Sequence, residues 1–246
     1  MIKDAILNYL KKNQFKTFRL KAVFFDMDGV LYDSMKLHSE AWVKAMKDFG
    51  LPFTHLEAYL NEGKTGAATI DGVYVRINGR ESSEEEKKAI YATKSRYFEE
   101  LDEPIVMPYA YDILRKLKEK GLKIIVVTGS AQPLLIENLT TNFPHIFTKE
   151  DMITAFDVTN GKPHPEPYLK ALKKAGVEPY EALVVENAPM GVLASSTAQI
   201  FTIGVNTGPL NPEILTENGA NIVLTTMKEL YDKWDDLGLE KEYYLT

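Results

Sequence analysis

Short, largely apolar runs, each with at most one polar residue, recur along this chain at Ala22–Phe25, Leu122–Val127, Ala182–Val185 and Phe201–Val205, and stretches of helical period separate the last three. A strand without polar alternation is one buried on both faces, and strands alternating with helices make a parallel, doubly wound sheet. The helices are read from apolar spacing: one through Ile113, Leu114 and Leu117, one over Pro133–Thr141, one from about Pro165 to Ala175 and one from about Met190 to Ala198. Asn221–Leu224 is expected at the sheet edge and Met227–Trp234 as a closing helix. The fold class is therefore α/β, a three-layer doubly wound parallel sheet.

The rhythm breaks once. From about Met35 to Leu101 the periods are helical, with no strand among them. Trp42, Val43, Met46 and Phe49 form one apolar stripe before Gly50, and Leu51-Pro52 ends that helix. Ser83 and Glu86 form a capping box for a helix carrying Ile90, Tyr91, Lys94 and Phe98, with Glu84–Lys88 as its solvated face. An insertion placed directly after the first strand predicts a helical cap over residues 35–103, and a core domain of 21–34 and 104–246. Residues 1–20 form an extension in which Ile2, Ala5, Ile6, Tyr9 and Leu10 recur at helical spacing, which reads as a packed helix rather than a targeting peptide.

At 246 residues the chain can bury one full core and a smaller second unit. A 45% hydrophobic and 26% charged composition is that of an ordinary globular protein. The net charge of −6 offers no global attraction to nucleic acid or to an anionic membrane, so any phosphate binding must be local. No apolar run approaches the roughly 20 residues of a membrane span. Zero cysteines exclude disulfides, thiolate metal sites and a Cys nucleophile, and fit a reducing compartment. The expectation is a cytoplasmic monomer with neither nucleic-acid nor membrane partners.

Polar groups gather where the apolar runs end. Asp26 and Asp28 follow the first run, with Gly29 allowing a sharp turn beside them. Open α/β sheets bind ligands beyond the carboxyl ends of their strands, so a carboxylate pair there points to chemistry. Thr128-Gly129-Ser130 ends the second run; its hydroxyls and free N–H groups suit a phosphate, although such a triplet is also a common helix-capping turn. Gly161-Lys162-Pro163-His164-Pro165 is a stiff loop whose only cation, Lys162, is either a phosphate-neutralising charge or a solvated surface lysine. His164 serves the loop's geometry. Glu186 and Asn187 end the third run as hard oxygen donors suited to Mg²⁺.

Asp26-Met27-Asp28-Gly29-Val30, Thr128-Gly129-Ser130, Lys162 and Glu186-Asn187, in this order, resemble the four motifs of the haloacid dehalogenase-like (HAD) superfamily. The resemblance spans essentially the whole chain after Leu20, with a helical cap of the β-phosphoglucomutase type. His38-Ser39-Glu40-Ala41-Trp42, Asn61-Glu62-Gly63-Lys64-Thr65-Gly66 and Val185–Pro189 resemble most closely a β-phosphoglucomutase-like branch that includes an inorganic pyrophosphatase. The resemblance implies Asp26 as nucleophile forming an aspartyl phosphate, and Asp28 as the acid for the leaving oxygen and later the base for water. It implies Mg²⁺ held by Asp26, the Asp28 carbonyl and Asn187 with Glu186 close by, and phosphoryl oxygens held by Thr128, Gly129, Ser130 and Lys162.

Asn187 departs from the Asp that most of the superfamily carries, which removes a negative charge and favours a highly anionic substrate. In the cap, the resemblance directs His38, Glu62, Lys64 and Lys94 toward the substrate, while Tyr91 reads as core and Arg76 and Arg80 as exposed. The implied function is a Mg²⁺-dependent phosphohydrolase acting on a small phosphorylated substrate, foremost inorganic pyrophosphate. The alternatives are a β-phosphoglucomutase, a small phosphomonoester phosphatase and, more remotely, a non-enzymatic phospho-receiver. The second aspartate disfavours dehalogenation.

Overall fold

A computed structural model describes residues 2–131 and 133–245. Along the chain it places α1 (Ile2–Asn13), β1 (Thr17–Phe18), β2 (Ala22–Phe25), β3 (Tyr32–Asp33), α2 (Met35–Asp48), α3 (His55–Leu60), α4 (Gly66–Asn78) and α5 (Glu84–Glu99). There follow β4 (Ile105–Val106), α6 (Ala110–Glu119), β5 (Lys123–Val127), α7 (Pro133–Asn142), β6 (Met152–Ile153), α8 (Glu166–Ala175) and β7 (Ala182–Glu186). The chain closes with α9 (Pro189–Thr197), β8 (Phe201–Val205), α10 (Pro212–Glu217), β9 (Ile222–Leu224), α11 (Met227–Leu237) and β10 (Tyr243–Tyr244).

Six strands form a parallel sheet in the order β6-β5-β2-β7-β8-β9, with β9 at an edge. Side chains alternate between its two faces. Val23 and Phe25 join a large cluster with Val126, Val185 and Phe201, whereas Ala22 and Phe24 join a second with Ile125, Val184 and Tyr168. Burial on both sides is why these strands are predominantly apolar, with Lys123 at the exposed start of β5 and Glu186 at the end of β7. From β2 the chain builds outward through β5 and β6, then returns to β2's other side with β7. This reversal makes the carboxyl end of β2 the switch point at which open α/β sheets place their ligands. Phe25 is in register with Val126 on β5 and Val185 on β7, so the three strand ends lie level.

Helices α2–α5 form an insertion with its own apolar cluster, which includes Met46, Phe53, Ile70, Val73 and Ile90. The capping box at Ser83 is present: Ser83 Oγ accepts from the Glu86 amide, and the Glu86 carboxylate accepts from the Ser83 amide. The stripe on α2 ends a residue early. Phe49 lies beyond the helix and is 40% exposed, because α2 stops at Asp48 and the chain turns outward toward Gly50. Glu86 and Lys87 are only half-exposed, pairing with Arg80 and Asp71. Arg76 and Arg80 lie at the surface.

Several short elements carry no sequence signal. β3 and β4 pair antiparallel where the chain leaves for the insertion and where it returns. The extension contributes α1 and also β1, which pairs antiparallel with β10 and joins the two ends of the chain. Tyr9 of α1 donates a hydrogen bond to the Gln199 carbonyl (2.9 Å), and its ring meets Phe201 edge-on at 5.4 Å between centroids. Among the described residues no helix is long and apolar enough to cross a membrane.

Candidate active site

The level strand ends bring the sequence-predicted residues together around Lys162. This side chain is wholly buried, so the solvated-surface reading does not hold. Its ammonium donates to Asp26 Oδ1 (2.5 Å), Glu186 Oε1 (2.7 Å) and the Val127 carbonyl (2.8 Å). Three acceptors match the three protons of an ammonium, and two of them are carboxylates. Glu186 has no free oxygen: Oε1 also accepts from Tyr168 OH (2.9 Å), and Oε2 accepts from the Asn187 (2.9 Å) and Ala188 (3.0 Å) amides. It thus anchors Lys162. Gly191 makes room for this, since a Cβ there would lie 1.6 Å from Glu186 Oε1.

Asp26 lines a cavity of about 70 Å³ between sheet and insertion. Burial and the neighbouring Glu186 and Asp28 carboxylates push its carboxyl above the ordinary range, against the pull of Lys162. Asp28 experiences the opposite balance. Burial opposes its charge, but the His38 ring, the Ser34 hydroxyl and Lys94 outweigh burial and hold the carboxyl below the usual range. Its Oδ1 accepts from Ser34 Oγ (2.6 Å) and lies 2.9 Å from His38 Nε2.

His38 continues this chain into the insertion, with Nδ1 2.8 Å from Lys94 Nζ. When Lys94 is an ammonium, Nδ1 must accept, so Nε2 carries the proton and donates to Asp28. Burial lowers the Lys94 pKa to about 8, although its ammonium is surrounded by the rings of Trp42, Tyr91 and Phe98. Burial and the Lys94 charge together lower that of His38, which stacks on Phe98 at 4.2 Å.

From the α3–α4 loop, Glu62 accepts from Asn187 Nδ2 at 2.8 Å. Burial and the Asp26 charge push the Glu62 carboxyl well above its ordinary range. Among the described residues, Asn187 Oδ1 has no hydrogen-bond partner and is buried. Lys64 lines the cavity and donates to Asn61 Oδ1 (2.8 Å). Thr128, Gly129 and Ser130 also line it, with Thr128 Oγ1 accepting from the Ser130 amide (2.9 Å). All twelve residues singled out in the sequence therefore meet in or directly beneath this cavity. Ser34, Tyr168 and Phe98 belong to the same network but carry no functional signal in the sequence. Ser34 follows Asp28 by six residues, whereas Tyr168 and Phe98 look like ordinary helix core. Among the described residues no three His, Asp or Glu side chains are grouped as a metal site.

The geometry has relatives among known proteins. The chain is 32% identical over 206 residues to the "Phosphorylated carbohydrates phosphatase" of Thermotoga maritima, covering 82% of this chain and 92% of that one. It is 24% identical to the "Beta-phosphoglucomutase" of Bacillus subtilis, covering 88% of this chain and 96% of the other. Among solved structures, a "Putative beta-phosphoglucomutase from Bacteroides vulgatus" superimposes with a TM-score of 0.93 at 50% identity, over 97% of both chains. Residues 20–198, which hold all the groups just described, match a family described as haloacid dehalogenase-like hydrolases. The chain belongs to the haloacid dehalogenase-like hydrolase family.

Proposed function

We propose that the protein is a Mg²⁺-dependent phosphohydrolase that passes a phosphoryl group through Asp26, and that its substrate is inorganic pyrophosphate. The observation that carries the substrate is Glu62: its carboxylate lines the cavity and reaches across to Asn187. What remains is about 70 Å³, far below the roughly 300–1,000 Å³ of pockets for larger organic ligands.

The residues fit a divalent cation. Asn187 Oδ1 is an orphaned buried acceptor, the Asp26 charge raises the proton affinity of Glu62, and the Glu186 and Asp28 charges raise that of Asp26, a crowding of negative charge that a cation would relieve. Asp26, the Asp28 backbone carbonyl and Asn187 Oδ1 would hold it, in keeping with the preference of Mg²⁺ for few carboxylates plus substrate oxygens. When bound, Mg²⁺ would polarise the transferring phosphoryl group and screen its charge.

Lys162 fixes Asp26 through Oδ1, leaving the other oxygen to attack one phosphorus of pyrophosphate. The bridging P–O bond breaks, and the departing phosphate takes the second electron pair. A proton delivered to Asp28 along Lys94 and His38 passes on to that phosphate and leaves Asp28 ionised for the second half. An Asp28 held mostly ionised supplies little acid, which suits a leaving phosphate better than a sugar alkoxide. In the second half Asp28 takes a proton from water, whose oxygen attacks the aspartyl phosphate, releasing phosphate and restoring Asp26. Thr128, Gly129 and Ser130 receive the phosphoryl oxygens during both steps.

A sugar-phosphate substrate is the second reading, because the Thermotoga and Bacteroides relatives carry such names. A phosphate-release panel with Mg²⁺ separates the two. Pyrophosphate is expected to be turned over well above any sugar phosphate. Conversion of β-glucose 1-phosphate to the 6-phosphate with pyrophosphate ignored would overturn the assignment.

A further inference from the structure

The α3–α4 loop meets the core where the core has no side chain to offer. A Cβ added to Gly129 would lie 2.3 Å from the Gly63 carbonyl oxygen, 3.1 Å from its carbon and 3.3 Å from the Lys64 oxygen. One added to Gly161 would lie 2.4 Å from Thr65 Cγ2 and 3.5 Å from the Thr65 nitrogen. In both cases the nearest atoms belong to the inserted loop and none to the core. Neither glycine has a positive φ, so the local backbone does not require glycine at either place. Only the descent of the loop does.

The contact is built on both sides. Lys64 and Lys162 form a backbone bridge across the seam. Thr65 cannot freely swing its methyl aside, because its hydroxyl accepts from the Ala68 amide and caps α4. Immediately before this stretch stands Glu62, whose reach to Asn187 depends on how far the loop comes down.

We propose that Gly129 and Gly161 are specificity-determining positions: their missing side chains let residues 62–65 descend until Glu62 meets Asn187, which sizes the chamber for a compact phosphoanion. The substrate half of this rests on the pyrophosphatase reading; the seam does not. A side chain at either position holds the loop up, opens the chamber and removes Glu62 from the metal side, without disturbing the sheet.

The test compares Gly129→Ala, Gly161→Ala and Gly161→Ala combined with Thr65→Ser, which removes the obstructing methyl but keeps the capping hydroxyl. Amide hydrogen exchange over residues 62–66 and kcat/KM for pyrophosphate are read for each. Both single variants are expected to exchange this loop at least about tenfold faster and to lose at least about tenfold in kcat/KM, with Thr65→Ser restoring Gly161→Ala to within about threefold. Wild-type exchange in both single variants would overturn the seam, as would a double variant no better than Gly161→Ala alone. If the wild-type protein ignores pyrophosphate, the functional reading fails, and the exchange data still decide the seam.

Discussion

Lys162 is the buried cation that pairs with both Asp26 and Glu186. Removing it leaves Asp26 and Glu186 buried without a cation, so Lys162→Met is expected to cost about 3–5 kcal/mol in urea denaturation as well as activity. Lys94 has a different signature. Burial sets its pKa at about 8, below the unfolded value near 10.4, so below pH 8 both states hold the proton and the buried charge is a cost. Between those values the unfolded chain binds more protons, and stability rises with pH. Wild type is therefore expected to gain up to about 3 kcal/mol over Lys94→Met between pH 8 and 10.5 in denaturation midpoints; parallel curves would contradict this. The strand-end groups were legible in the sequence because each interrupts or follows an apolar run. The fate of Glu186 was not, since its partners Lys162 and Tyr168 lie 24 and 18 residues away, on a loop and a helix core face.

The α3–α4 loop is the element that separates this site from a generic phosphate-binding sheet end. Glu62→Ala is expected to lower pyrophosphate turnover at least about tenfold and to raise the Mg²⁺ concentration needed for half-activity, measured by metal titration of phosphate release. Unchanged turnover would remove the loop from the account and leave the chemistry at Asp26 intact. The long elements were readable because burial imposes a period on them: β2, β5, β7 and β8 as apolar runs, α5 by its capping box. The strands missed are β1, β3, β4, β6 and β10, each two residues long, too short to carry a pattern, and the six-residue α10 was missed with them. The hinge pair β3 and β4 exists only because two distant segments meet.

Across the molecule, β2 sits at the switch point of the sheet, the insertion covers it, and the extension closes the opposite end. Tyr9 shows the extension's role: Tyr9→Ala removes a buried ring packed on Phe18 and Phe201 and is expected to cost about 3–5 kcal/mol, leaving KM unchanged where the protein is folded. A shift in KM with no loss of stability would give residues 1–20 a catalytic part instead. The parallel sheet followed from alternation and the insertion from its one break, whereas the strand order and the closing approach of loop and glycines are properties of the assembled chain. The central claim is that phosphoryl transfer passes through Asp26. An acid-quenched single turnover with radiolabelled pyrophosphate and Mg²⁺ tests it: label is expected on the peptide containing Asp26, absent in Asp26→Asn. Free phosphate formed at the full rate with no protein-bound label, or by Asp26→Asn, would contradict it.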